Sequence, residues 1–348
     1  MCPYCNFYKT AASEGGFWKY VEAVLMEAVK YAGQVRAETV FFGGGTPTAL
    51  SGGQLERLIG GLGEIFDLGG VREFTVEMNP ATVSLSKAET LLQMGVTRAS
   101  LGVQSWEPHV LATLGRVHTG PQAERSIQTL RAAGFKNLNL DLMFGVPGQG
   151  FEDWEATLEK TIEIGPQHIS AYSLTYEEDT EFFLRLQRGE FQFDALFDAE
   201  LFGWSWERLE KAGYLGYETS NFARPGFECR HNLAIWRGAD YLGLGPGAVS
   251  TVGGLRWRNV ADVKSYTRRL EEGLAVAGEL EEITPEKRFL ERLALGLRTR
   301  DGVELGGLDS RKLEALCEGG YALVENGRVR LVGEGRALVD EIVADLVT

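Results

Sequence analysis

Thr39-Val40-Phe41-Phe42-Gly43-Gly44-Gly45-Thr46-Pro47 is an apolar run of strand type that stops on three glycines. β-Branched and aromatic residues favour extended backbone, and glycine lets backbone come close to a ligand. The same grammar recurs downstream. Phe74-Thr-Val-Glu77 runs into Met78-Asn-Pro80, Ala99-Ser-Leu-Gly-Val-Gln104 follows, Leu138-Asn-Leu-Asp-Leu-Met143 runs into Gly145-Val-Pro-Gly148, and Ile169-Ser-Ala-Tyr-Ser-Leu174 is the fifth run. Helical apolar spacing fills the gaps, over 17–31, 55–66, 86–94, 121–133 and 154–164. Strand and helix thus alternate at roughly 25–40 residues per unit, the rhythm of βα units around a parallel sheet.

A βα barrel carries its chemistry where strands end and loops begin. Polar residues fall there in this chain: Gly44, Gly45 and Thr46, then Glu77, Gln104, Asp141 and Thr175. Asp141 interrupts an apolar run between Leu140 and Leu142, and a carboxylate in such a place is costly unless it meets a partner. One such residue alone reads as a cap or a turn. Five sets at successive strand ends predict convergence on one site.

Upstream stands Met1-Cys2-Pro3-Tyr4-Cys5-Asn6-Phe7-Tyr8. With only four cysteines in 348 residues, a disulfide scaffold is excluded and a reducing compartment is expected. A Cys-x-x-Cys pair then means thiol redox, half of a zinc site, or an iron–sulfur cluster. The redox reading wants a strand before the motif, and the zinc reading wants two more ligands, for which Cys229 and His231 are the candidates. The cluster reading needs three thiolates and an open iron. A net charge of −14 and a pI near 4.9 argue against nucleic acid as a partner. No apolar run approaches 20 residues, so the expectation is a cytoplasmic protein that is not integral to a membrane.

Downstream, 194–212 has helical spacing and carries Trp204 and Trp206. A polar, aromatic stretch from Tyr217 to Trp236 contains Cys229-Arg-His231, and Gly243-Leu-Gly-Pro-Gly247 is a turn suited to lie against a flat ligand. From about Glu279 the order is helix (285–297), helix (308–317), hairpin around Asn326-Gly327, and helix (334–346), which is winged-helix-like. Arg311 and Lys312 are offset by Asp309 and Glu314, so this unit is expected to pack rather than to read DNA. His109, His118 and His168 read as surface or packing residues, and Cys317 as core.

Cys-Pro-Tyr-Cys-Asn-Phe, Gly43-Gly-Gly-Thr-Pro47, Glu77-Met-Asn-Pro80, Gly102-Val-Gln-Ser105, Leu114-Gly-Arg-Val-His118, Asn139-Leu-Asp-Leu-Met143 and His231-Asn-Leu-Ala-Ile-Trp236 together resemble the HemW heme-chaperone family over nearly the whole chain. That family lies in the radical S-adenosylmethionine (SAM) group, beside oxygen-independent coproporphyrinogen III oxidase. The resemblance implies a partial (β/α)6 TIM-like radical SAM barrel lacking its first strand, plus a C-terminal winged-helix-like domain. The implied division is 1–190 for the barrel, 191–278 for a connecting segment with the heme motif, and 279–348 for the last domain. Cys2 and Cys5 would be the second and third ligands of a [4Fe-4S] cluster, with the first family cysteine four residues before Cys2. Gly44, Gly45 and Thr46 would line the SAM methionyl group and Glu77 its amine. Gln104, Arg116 and Asp141 would contact SAM, Arg116 as a carboxylate clamp and Asp141 on the ribose, with Tyr4 near the adenine. His231 would ligate heme iron, Ile235 standing where the family has Tyr, and Cys229 is a secondary candidate.

Phe7 stands where the coproporphyrinogen oxidases carry a further cysteine, which favours heme handling. The implied function is a chaperone that binds heme, cluster and SAM and transfers heme to acceptor proteins, with room for a homodimer and for transient contact with membrane-bound acceptors. Radical SAM oxidative decarboxylation of coproporphyrinogen III is the alternative, and a porphyrin-binding scaffold without cluster chemistry is the third.

Overall fold

The computed structural model describes residues 2–6 and 14–347. Met1, Phe7 and Tyr8 of the opening stretch lie outside the described residues. The first half runs α1 (Glu14–Val29), β1 (Thr39–Phe42), α2 (Gly52–Ile65), β2 (Glu73–Met78), α3 (Leu85–Gln93), β3 (Arg98–Gln104), α4 (Pro108–Thr113), α5 (Gly120–Ala133), β4 (Leu138–Phe144), α6 (Phe151–Ile164) and β5 (His168–Ser173). Strands β1 to β5 lie side by side in sequence order, all parallel. Local chemistry sets the helix ends. Ser51 and Gln54 close a capping box before α2, and Thr119 and Gln122 close one before α5. Gly134 takes φ +114 and Gly165 φ +65 to stop α5 and α6.

The two faces of the sheet differ. Val76, Met78, Ala99, Leu101, Leu140 and Leu142 point outward into the main core with Leu55, Leu91, Ile127, Leu130, Trp154 and Leu158 of the helices. The alternate residues point inward and are polar: Glu73, Thr75 and Glu77; Arg98 and Ser100; Asn139 and Asp141; His168 and Ser170. The barrel therefore has an apolar shell and a polar lumen.

The chain continues with α7 (Glu181–Gln187), α8 (Ala195–Lys211), β6 (Leu215–Gly216), β7 (Asn221–Ala223) and α9 (Arg230–Trp236). β7 pairs antiparallel with β5 and β6 with β7, so the sheet order is β1-β2-β3-β4-β5-β7-β6. The polar stretch from Tyr217 thus supplies two short strands and a helix that the sequence pattern does not announce. Next come β8 (Val249–Val252), β9 (Leu255–Asn259), α10 (Val263–Glu271) and β10 (Ala277–Glu282), with the strands in a separate antiparallel sheet. Gly243 is required by packing rather than by a ligand, because a Cβ there would lie 2.3 Å from the Val249 carbonyl oxygen.

The last part runs α11 (Pro285–Leu297), β11 (Val303–Glu304), α12 (Ser310–Glu318), β12 (Ala322–Glu325), β13 (Arg328–Leu331) and α13 (Val339–Val347) around its own core of Leu293, Leu297, Leu313, Val329, Leu331 and Ile342. The expected order holds, with β11 added at the edge of the hairpin. The final helix begins at Val339 rather than at 334. Gly333–Arg336 is a 3-10 turn instead, because Gly335 passes so close to Tyr321 that a Cβ would meet its carbonyl oxygen at 2.2 Å. No helix of the described residues is long and apolar enough to cross a membrane.

Glu27 of α1 fixes the second half of the chain to the first. It is fully buried and accepts hydrogen bonds from Gly245 N at 2.8 Å, Asn259 Nδ2 at 2.7 Å and the Tyr266 hydroxyl. Glu27→Ala would leave Gly245 N and the Tyr266 hydroxyl without a partner and Asn259 Nδ2 with only the Gly245 carbonyl, so a loss of about 3 kcal/mol in unfolding free energy is expected, read as a lower urea midpoint at unchanged slope.

Candidate functional site

At the C-terminal ends of the parallel strands the predicted residues converge. Cys2 and Cys5 form a turn, closed by Cys5 N donating to Cys2 O at 3.3 Å. The turn is held from above by Phe182 N of α7, which donates to Pro3 O at 3.1 Å, and by Tyr4 packing on the Phe182 ring at 6.3 Å. Arg116 joins the thiols to the sheet: Nη1 donates to Cys2 Sγ at 3.6 Å and Nη2 to Gly102 O at 2.8 Å. Its buried Nε has no partner. Gly102 is needed there, since a Cβ would lie 3.3 Å from Arg116 Nη2 and 3.0 Å from Gln104 Nε2.

Gln104 ends β3 with φ +69, a left-handed backbone that a non-glycine residue adopts only under constraint, at a slip in register against β4. The bend turns its side chain inward, where Oε1 accepts from the Tyr172 hydroxyl at 3.2 Å. Glu77 accepts from Gly44 N at 3.1 Å. Asp141 accepts from Asn139 Nδ2 at 2.6 Å and from Ser100 Oγ at 3.3 Å.

These carboxylates are poorly compensated. Burial, then the negative charge of Asp141, pushes Glu77 up to about 8, against a pull downward from the Gly44 amide. Burial also raises Asp141, opposed by Arg98 and by its hydrogen bonds. Burial raises the Tyr4 phenol, with Arg116 working the other way. Two buried carboxylates without an ion pair make a site suited to a cation. The φ +99 backbone of Gly44 keeps the loop beside Glu77 free of a side chain at that point.

His231 is not in this cluster. It sits near the opposite, N-terminal ends of the strands. Its Nδ1 lies 2.9 Å from Thr39 Oγ1, its ring stacks on Phe41 at 5.0 Å, and its backbone N donates to Glu73 Oε1 at 3.0 Å. Glu73 and Glu77 are four residues apart on β2, roughly 13 Å along the strand. Nε2 has no hydrogen-bond partner among the described residues. Burial lowers the basicity of the ring, and the Glu73 charge opposes this. Cys229 is fully buried, its Sγ donating to Glu73 Oε1 at 3.3 Å, and burial pushes its thiol up to about 11.

A cavity of about 1390 Å³ spans the two ends on one side. Phe41, the Gly43–Thr46 loop and His231 line it, while Cys2, Cys5, Gln104 and Asp141 do not. It lies along the outer edge of β1, which pairs only with β2 among the described residues, and takes in the apolar faces of Val40 and Phe42. Its size exceeds the usual range of small-molecule sites, about 300–1,000 Å³. Gly45 and Thr46 are exposed in this loop and line the cavity.

The remaining expectations divide. Thr175 is not the fifth strand-end group: β5 stops at Ser173 and Thr175 is exposed. Tyr172, the penultimate residue of the strand, takes that place. His168 is buried between Asn139 Oδ1 and the Tyr217 hydroxyl, His118 bonds the Val103 carbonyl and is held neutral by burial at about 4, and His109 pairs with Asp153 on the surface, all as packing or surface groups. Glu73, Arg98 and Tyr172 went unread. The signal for them is the period of two that already contains Glu77 and Asp141.

The raised Glu77 pKa carries a stability prediction. The folded state holds a proton that the unfolded chain releases near 4.5, so stability falls as pH rises from there toward about 8, by about 1.4 kcal/mol per pH unit at most for this group. Glu77→Gln is expected to flatten the decline in melting temperature between pH 5 and 8, measured by calorimetry on the ligand-free protein.

A profile of the radical SAM superfamily matches residues 1–161. Heme chaperone HemW of Bacillus subtilis is 34% identical over 358 residues, covering 98% of this chain and 94% of that one. Heme chaperone HemW of Mycobacterium tuberculosis (strain H37Rv) is 35% identical, covering 99% of this chain and 91% of that one. Among solved structures, the radical SAM enzyme HemN, the coproporphyrinogen III oxidase of Escherichia coli, superposes with a TM-score of 0.85 at 22% identity, over 100% of this chain and 87% of that one. That likeness establishes the fold as the radical SAM type seen in HemN. With thiol turn, glycine loop, barrel and His231 helix carried on one chain that aligns along nearly the full length of these relatives, the protein belongs to the HemW family within the radical SAM superfamily.

Proposed function

We propose that this chain binds heme through His231 and passes it to acceptor proteins in the cytoplasm, with an iron–sulfur cluster and SAM held at the other end of the barrel. The observation that carries the reading is the state of His231: Nδ1 is engaged by Thr39 while Nε2 has no partner among the described residues, on the wall of a large cavity. A neutral imidazole with one nitrogen fixed is the form that ligates iron. Phe41 stacked on the ring and Ile235, both on the cavity wall, supply apolar surface for a flat macrocycle.

At the thiol end, Cys2 and Cys5 supply two cluster ligands, and Arg116 donates to the first of them. Glu77 and Asp141 receive the cationic and hydroxyl groups of SAM, Gln104 and Arg116 lie beside them, Tyr4 covers the turn, and Gly44, Gly45 and Thr46 present backbone to the methionyl end. Together, cluster and SAM supply one-electron chemistry when bound. In this reading 1–190 forms the SAM unit, 191–278 carries the heme motif, and 279–348 packs as a separate unit.

Oxidative decarboxylation of coproporphyrinogen is the second reading, favoured by the HemN-like barrel. The two are separated by incubating cluster-reconstituted protein with coproporphyrinogen and SAM under anaerobic reduction. The chaperone reading expects no vinyl product, and its formation would reject that reading. In a heme titration followed at the Soret band, His231→Ala is expected to weaken binding by about 100-fold, near 2.7 kcal/mol. Asp141→Ala is expected to weaken SAM binding by about 10- to 100-fold while leaving the heme titration unchanged, measured by calorimetry.

A further inference from the structure

Two side chains at the start of α9 are chemically able to bind iron, Cys229 and His231. They do not face the same way. Cys229 is turned into the core and His231 lines the cavity. One carboxylate separates them. Glu73, the first residue of β2 and only 4% exposed, accepts from Cys229 Sγ at 3.3 Å, from Arg230 N at 3.0 Å and from His231 N at 3.0 Å. All three partners are donors, so an acceptor-only carboxylate satisfies them together, and an amide or hydroxyl does not. The two backbone donors are among those that the first turn of a helix leaves unpaired.

Because Glu73 is part of a central parallel strand, it fixes the rotation of α9 about its axis relative to the barrel. With that rotation set, the His231 ring falls between Thr39 Oγ1 and the Phe41 face, both on β1. Two adjacent strands thus hold one imidazole, β2 through the backbone and β1 through the ring.

We propose that Glu73 is a positioning residue that presents His231, and withholds Cys229, as the side chain offered to heme iron. The proposal rests on the heme-binding reading above and adds the choice of ligand to it. Removing the carboxylate frees Cys229 Sγ from its buried partner and unties the start of α9, so that the first turn can refold and bring Cys229, about 200° round the helix from His231, toward the cavity.

The test uses the full chain with heme added, and also without heme. In the wild type, Cys229 is expected to resist iodoacetamide under native conditions, and the ferrous–CO spectrum is expected to be of the histidine type. Glu73→Gln keeps one acceptor oxygen and the side-chain volume, so the fold is retained; about 10-fold weaker heme binding and faster Cys229 alkylation are expected. Glu73→Ala is expected to bind heme at least as weakly and to gain a thiolate-type ferrous–CO band, which disappears in Glu73→Ala combined with Cys229→Ser. A role confined to stability would lower the melting temperature without changing the ligand type. Unchanged affinity, spectrum and Cys229 protection in Glu73→Gln, with circular dichroism showing a folded protein, would overturn the assignment of Glu73 while leaving heme binding intact. Absence of a Soret band in the wild type would overturn the functional reading itself and this assignment with it.

Discussion

Most side chains on the inner face of the parallel sheet are polar and shielded from bulk water, so each of these must find a partner inside the barrel. That demand organises the lumen. Asp141 leans on Asn139 and Ser100, Asn139 turns its oxygen to His168, and His168 passes the chain of hydrogen bonds to Tyr217. Tyr217 meets Cys229 N, and Glu73 gathers Cys229, Arg230 and His231. Arg98, 2% exposed, is the one cation whose field acts on Glu77, Asp141, Cys229 and His231 together. A single polar spine therefore reaches from the thiol end of the barrel to the histidine end.

The two ends use this spine differently. Near the thiols Glu77 and Asp141 have no ion-pair partner among the described residues, Arg98 acting on them only through its field, and the site gains from a positively charged ligand. Near His231 the carboxylate is saturated with donors, and what remains free is one ring nitrogen. One end is electrostatically unfinished and the other is geometrically finished. That division is the one the proposed function asks for, with a charged nucleoside at one place and a flat, largely apolar macrocycle at another.

The alternation of strands and helices, and the strand-end groups Glu77, Gln104 and Asp141, were legible because apolar periodicity and turn glycines are local signals. The separation of His231 from that cluster was not. Nothing near His231 in sequence says which end of the barrel α9 will meet, since its partners Thr39 and Glu73 lie more than 150 residues upstream. Strands β6 and β7 were missed for a related reason: they are two and three residues long, and their pairing with β5 is decided by tertiary contact. Thr175 was misplaced because a strand end read from apolar content carries an error of about two residues. Glu73 and Arg98 were available in principle, as charged residues opening apolar runs, once the inward phase of each strand was fixed by Glu77 and Asp141.

Strand β1 presents Thr39 to Phe42 on a margin with no neighbour among the described residues, flanked by Val40 and Phe42. Bare margins of this kind template pairing with other polypeptides. A ligand bound in the cleft beside β1 would cover this margin, and the −14 net charge opposes the approach of a second copy to it, an opposition that salt screens.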